Sequence, residues 1–100
     1  MLIAFSTFPD EATARNICSA LVAEGLAACA NILPQVTSIY RWQGELKVEG
    51  ECLAILKISA GGFPALEEKL PALHPYEVPE IVAIAAAAVN AKYLTWVMGV

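Results

Sequence analysis

Apolar and polar positions alternate along the chain with strand-like and helix-like periods in the order β-α-β-β-α-β, followed by one more helix. Leu2-Ile3-Ala4-Phe5-Ser6-Thr7 is a short apolar run with a β-branched and aromatic share, stopped by Pro9, and predicts a central strand. Asp10 stands where it can cap the helix that follows, and Glu11 suits the positive end of that helix. Ala14, Ile17, Cys18, Leu21 and Val22 recur every three to four residues as one apolar stripe. Gly25, tolerant of positive φ, ends it. From Leu26 to Leu33 the chain is again strand-like, and Pro34 predicts a bulge or an edge. Val36-Thr37-Ser38-Ile39-Tyr40-Arg41-Trp42 then alternates, with Val36, Tyr40 and Trp42 on one face. Gln43-Gly44 is a tight-turn dipeptide leading into Glu45-Leu46-Lys47-Val48-Glu49, so a long hairpin is expected. A second bulge is expected at Gly50, ahead of the apolar strand from Cys52 to Ile58.

Gly61-Gly62 turns the chain, and Pro64 suits the first position of a second helix with the stripe Phe63, Leu66, Leu70 and Leu73. Pro71 conflicts with that helix. It has no amide hydrogen and crowds the carbonyl four residues back, so a kink or loosening near Leu70 is expected, costing up to about 3 kcal/mol unless the end is frayed. Ile81 to Ala85 reads as the last strand, and Asn90 can cap a final helix carrying Tyr93, Leu94, Val97 and Met98. This order is the split β-α-β arrangement of ferredoxin-like folds, an α+β class, and residues 1–100 are read as one such domain. Right-handed crossovers put both long helices on one face of an antiparallel sheet. The other face needs cover from the last helix or from other molecules.

Composition sharpens that need. With 58% of its residues hydrophobic, a 100-residue chain carries more apolar surface than a small interior takes in. The apolar strands together with Tyr40, Trp42, Tyr93 and Trp96 therefore predict a homo-oligomer. The net charge of −4 comes from scattered acids and the six basic residues form no cluster, so the electrostatic footprint of nucleic-acid binding is missing. Pro9-Asp10-Glu11 interrupts the first apolar run too early for a secretory signal. The longest apolar run, residues 81–89, is far short of the roughly 20 that span a bilayer. No membrane segment is read and a cytoplasmic location is expected. Cys18, Cys29 and Cys52 sit in apolar contexts without C-x-x-C spacing, as free thiols of a reducing compartment do.

Candidate chemistry concentrates in Leu73-His74-Pro75-Tyr76-Glu77-Val78-Pro79-Glu80-Ile81, which holds the only histidine of the chain. Each proline fixes its own φ and biases its predecessor towards extended geometry, so the stretch is a stiff connector entering a strand. His74 offers an imidazole, Glu77 and Glu80 carboxylates and Tyr76 a phenol. Two readings of His74 stand open: a metal ligand, or a ring that bonds the last free carbonyls of the preceding helix. Glu77 and Glu80 are either solvated or paired with Lys57 or Arg41 across a subunit boundary. Tyr40 and Trp42 are either interface packing or a ligand platform. Lys57 interrupts an apolar strand and either finds a partner in a cleft or faces an edge. No Ser-His-Asp set, Gly-rich phosphate loop or paired-ligand motif occurs, so catalysis is not expected.

Four blocks give the chain a resemblance to the CutA family, named for divalent-cation tolerance. They are Thr7-Phe8-Pro9-Asp10 with the following helix, Leu26-Ala27-Ala28-Cys29-Ala30-Asn31-Ile32, Thr37-Ser38-Ile39-Tyr40-Arg41-Trp42-Gln43-Gly44, and His74-Pro75-Tyr76-Glu77-Val78-Pro79-Glu80. The ending Tyr93-Leu94-Thr95-Trp96 is similar too. The resemblance implies a ferredoxin-like subunit in a tight homotrimer like the PII signalling proteins, with long hairpins closing neighbouring sheets. It also implies a non-enzymatic role in metal-ion tolerance, with copper or another divalent cation as the ligand. Some members carry a cysteine where this chain has Ser6 and a histidine pair where it has Leu73 and His74. The metal donors that remain here are His74 with Glu77 or Glu80, a weak set for copper unless three subunits bring these segments together. A second reading is a PII-like sensor whose inter-subunit clefts take a small anionic or zwitterionic metabolite through Tyr40, Arg41, Trp42, Lys57, His74, Tyr76, Glu77 and Glu80. A third is a scaffold for protein partners.

Overall fold

A computed structural model describes residues 1–99. Its elements are β1 (Leu2–Phe8), α1 (Glu11–Ala23), β2 (Cys29–Trp42), β3 (Glu45–Ile58), α2 (Phe63–Leu73), β4 (Val82–Ala85) and α3 (Ala91–Met98). Local signals set the ends of several of these. The Asp10 carboxylate accepts the Thr13 amide at 2.7 Å, which closes the first turn of α1 and holds that carboxyl below its ordinary range. Gly25 leaves α1 at φ 74°, and Gln43 and Gly44 turn the hairpin with φ of 50° and 81°. The Asn90 side chain accepts from the amides of Lys92 and Tyr93 and starts α3.

The strands form one sheet in the order β2-β3-β1-β4, and every neighbouring pair is antiparallel. Strand residues alternate between faces. Ala4, Ser6 and Phe8 of β1 and Cys52, Ala54, Leu56 and Ile58 of β3 lie on the buried side. There they meet Ala14, Ile17, Cys18 and Leu21 of α1 and Leu66 and Leu70 of α2, the core of the molecule. Burial pushes the Cys18 thiol up to about 11. Ile3, Phe5, Leu53 and Ile55 point to the opposite, open face, where Val82 and Ile84 of β4 are about half exposed. The helix α3 caps only one end of that face, with the Tyr93 hydroxyl 3.5 Å from the thiol of Cys29.

Three expectations need correction. Gly50 makes no bulge: it pairs with Thr37 inside a continuous β3, and the irregularity lies between Leu33 and Val36 of β2. There Pro34, which has no amide to give the ladder, and Gln35 stand opposite Cys52, whose thiol donates to the Pro34 carbonyl at 2.9 Å. Pro71 does not break α2. It is the third residue from the end, and the amide it lacks would have bonded the carbonyl of Glu67, an exposed residue that water can reach. Leu73, expected in the helix stripe, is exposed because the chain leaves the helix there.

Ser6 is fully buried, and its hydroxyl is the one buried side-chain polar atom without a partner among the described residues. An unbonded buried hydroxyl carries a desolvation penalty that a methyl group would not. Ser6→Ala is expected to raise unfolding stability by about 1 kcal/mol in urea titrations with an unchanged slope. A loss of stability would show that the hydroxyl is bonded after all.

Candidate functional site

The connector after α2 is fastened to the end of β1 by one side chain. His74 leaves the helix with extended backbone geometry, its amide still bonded to the Leu70 carbonyl at 3.0 Å. Its ring stacks on Phe8 with centroids 4.8 Å apart and planes 20° from parallel. Nδ1 accepts the Tyr76 amide at 3.1 Å, which requires a lone pair there. The proton of the neutral ring is therefore on Nε2, which donates to the Thr7 carbonyl at 2.8 Å. Neither reading of His74 from the sequence describes this. The ring bonds β1 and the connector rather than the helix carbonyls, and it has no free lone pair for a metal.

Having crossed the end of β1, the connector reaches the open face of the sheet. The Tyr76 hydroxyl donates to Oε2 of Glu51 at 2.6 Å, and Glu51, on β3, is only 8% exposed. Burial first, then the bond to Glu51 and its charge, hold the Tyr76 phenol well above the ordinary tyrosine range. Tyr40 is also raised, by desolvation first and then by Glu49. Between hairpin and connector lies a cleft of about 760 Å³. Thr7, Ser38, Ile39, Tyr40, Trp42 and Glu51 line one side, and residues 75 to 80 the other.

The bulge in β2 decides which hairpin residues reach this cleft. Before it Cys29, Asn31 and Leu33 pair with the open-face residues of β3; after it Val36, Ser38, Tyr40 and Trp42 do. The cleft thus unites Tyr40, Trp42, Tyr76, Glu77 and Glu80 within one chain, whereas the sequence reading set them at a seam between subunits. It leaves out three others: His74, held between Phe8 and Thr7, together with Arg41 and Lys57. Arg41 pairs with Leu46 on the opposite side of the hairpin, and Lys57 lies beside Cys29 at the far end of β3, bonded to the Asn31 side chain. Within one chain no basic residue lines the cleft, so the cations expected for an anionic ligand are not there.

Glu51 is the residue that sequence reasoning missed. Its signal was a single acid beginning the apolar run of β3, two residues along the same face from Leu53. A copper site at His74 and Glu77 does not fit one chain: both ring nitrogens are engaged, Glu77 is exposed, and no group of three His, Cys, Asp or Glu side chains among the described residues can hold a metal ion.

The raised Tyr76 phenol makes a pH prediction. A phenol that folds neutral and ionises near pH 10 when unfolded stabilises fully below about 10, and that contribution is lost as pH rises towards the folded-state value. In urea unfolding from pH 7 to 11, the stability advantage of wild type over Tyr76→Phe is expected to be constant at first and to shrink above about pH 10. An advantage that stays flat to pH 11 would separate Tyr76 from this coupling.

Residues 2–99 match the family described as CutA1 divalent ion tolerance protein. The divalent-cation tolerance protein CutA of Thermus thermophilus is 54% identical over 90 residues, covering 90% of this chain and 87% of that protein. Human protein CutA is 43% identical over 94 residues, 94% of this chain and 52% of the human protein, so the chain spans about half the length of that relative. Among solved structures, the Thermus thermophilus protein superposes with a TM-score of 0.92 at 51% identity, covering 97% of this chain and 95% of that one. CutA1 from Pyrococcus horikoshii superposes with a TM-score of 0.94 at 36% identity, covering 99% and 96%. With the same strands and helices matched almost end to end, the chain belongs to the CutA1 divalent ion tolerance family.

Proposed function

We propose that this chain serves divalent-ion tolerance as a non-enzymatic binding protein, that it works in the cytoplasm as a homotrimer, and that its ligand site is the cleft between hairpin and connector. The observation that carries the reading is Glu51, a carboxylate held by Tyr76 in the wall of a cleft large enough for a small molecule. Its volume falls within the roughly 300–1,000 Å³ common for ligand sites. The trimer draws support from apolar surface left uncovered away from the cleft: Leu46 and Val48 on the hairpin are each more than 60% exposed, and Val82, Ile84 and Trp96 about half.

Copper enters this proposal only as weak binding that several chains would have to share, since the described residues of one chain offer no ligand set. The PII-like reading, a sensor taking a metabolite at the seams between subunits, is favoured by the aromatic lining of the cleft.

Light scattering at micromolar concentration is expected to give the mass of three chains, and a well-folded single copy would overturn the trimer. Calorimetric titration with copper is expected to give the same heats for wild type and His74→Gln, because the ring nitrogens are already bonded. A loss of heat confined to the variant would return His74 to a metal role.

A further inference from the structure

We infer that the cleft is a receptor site for a small organic cation, an alkylamine or alkylguanidinium, held by the Glu51 carboxylate beside the rings of Tyr40, Trp42 and Tyr76. The inference rests on the proposed reading that the cleft is the ligand site, and adds the charge and chemical class of what it takes. Glu51 is more than nine-tenths buried, yet no cation accompanies it. Of its two oxygens, Oε2 accepts from Tyr76, while Oε1 has no hydrogen-bond partner among the described residues. One phenol does not neutralise a carboxylate in such a place, and a buried charge is stable when paired. None of the six basic residues lines the cleft: Lys47, opposite Tyr40 on the same face of the hairpin, is paired with Glu45, Lys57 is bonded to the Asn31 side chain, Arg41 is on the other side of the hairpin, and Arg15, Lys69 and Lys92 lie on the three helices.

The wall opposite argues the same way. Glu77 and Glu80 stand at the rim and add negative potential to the entrance. Pro75 and Pro79 contribute no amide hydrogens, so the connector has few donors with which to hold an anion. The lining also turns away a bare metal ion. Hard divalent cations ask for six or more oxygen ligands, and no cluster of that kind is present among the described residues. Aromatic faces do not ligate such ions, but they attract an ammonium or guanidinium group and cover its apolar stem.

The test uses the full chain as assembled in solution, in a Trp96→Phe background so that Trp42 is the only indole. Four probes of similar size are titrated at constant ionic strength: butylammonium, butylguanidinium, butyrate and butanol, with Trp42 fluorescence and melting temperature as readouts. Both cations are expected to give saturable changes, and butyrate and butanol none. Glu51→Gln keeps an oxygen to accept from Tyr76, so its fold should hold while cation affinity falls at least tenfold. In Trp42→Leu, followed by calorimetry, the cations should also bind more weakly. If butyrate or butanol binds as well as the cations, or if Glu51→Gln keeps full affinity, the cation assignment is overturned and the cleft remains a ligand site. If none of the four probes is bound, the cleft reading falls with it.

Discussion

A single extra residue in β2 governs what the long hairpin offers to its surroundings. Side chains on a strand change face at each step, so inserting one residue between Leu33 and Val36 exchanges the two faces of everything beyond it. Had the ladder run on unbroken, Tyr40 and Trp42 would have been on the side of α1 and α2, with Arg41 on the open face. The bulge reverses this, giving the open face two aromatic rings and taking the guanidinium away. Pro34 makes the interruption cheap, since it has no amide to lose, and the Cys52 thiol occupies the Pro34 carbonyl.

The second wall of the cleft depends on His74. Stacked on Phe8 and bonded through both nitrogens, the ring ties the connector to β1 and brings Tyr76 within reach of Glu51. This use of a histidine consumes the lone pair that metal binding needs. Structural and ligating roles are exclusive here for a chemical reason: a neutral imidazole has one donor and one acceptor, and each is taken.

The family name speaks of divalent ions, while the geometry of one chain speaks of a carboxylate with aromatic neighbours and, among the described residues, no cluster of metal ligands. These statements concern different levels. Tolerance is a property of a cell, and a protein can contribute to it without holding the ion in a preformed cluster. The exposed apolar residues of the hairpin and of β4 are the surface that the proposed trimer would cover.

Local rules sufficed for much of this molecule. Asp10, Gly25, Gln43-Gly44 and Asn90 mark element ends through hydrogen bonds and dihedrals spanning a few residues, and the stripe of α1 follows from a period of 3.6. The element order and the family were therefore legible in the sequence. Of the two interruptions expected, at Pro34 and at Gly50, only the first is a bulge, because both residues interrupt a strand pattern and the register of the partner strand decides which of them breaks the ladder. What the sequence could not reveal was who meets whom across the fold. His74 and Thr7 are 67 residues apart and Tyr76 and Glu51 are 25 apart, with no periodicity connecting them. Only the packed sheet, by ending β1 where the hairpin continues, sets a histidine to clamping and a glutamate to lining a cleft.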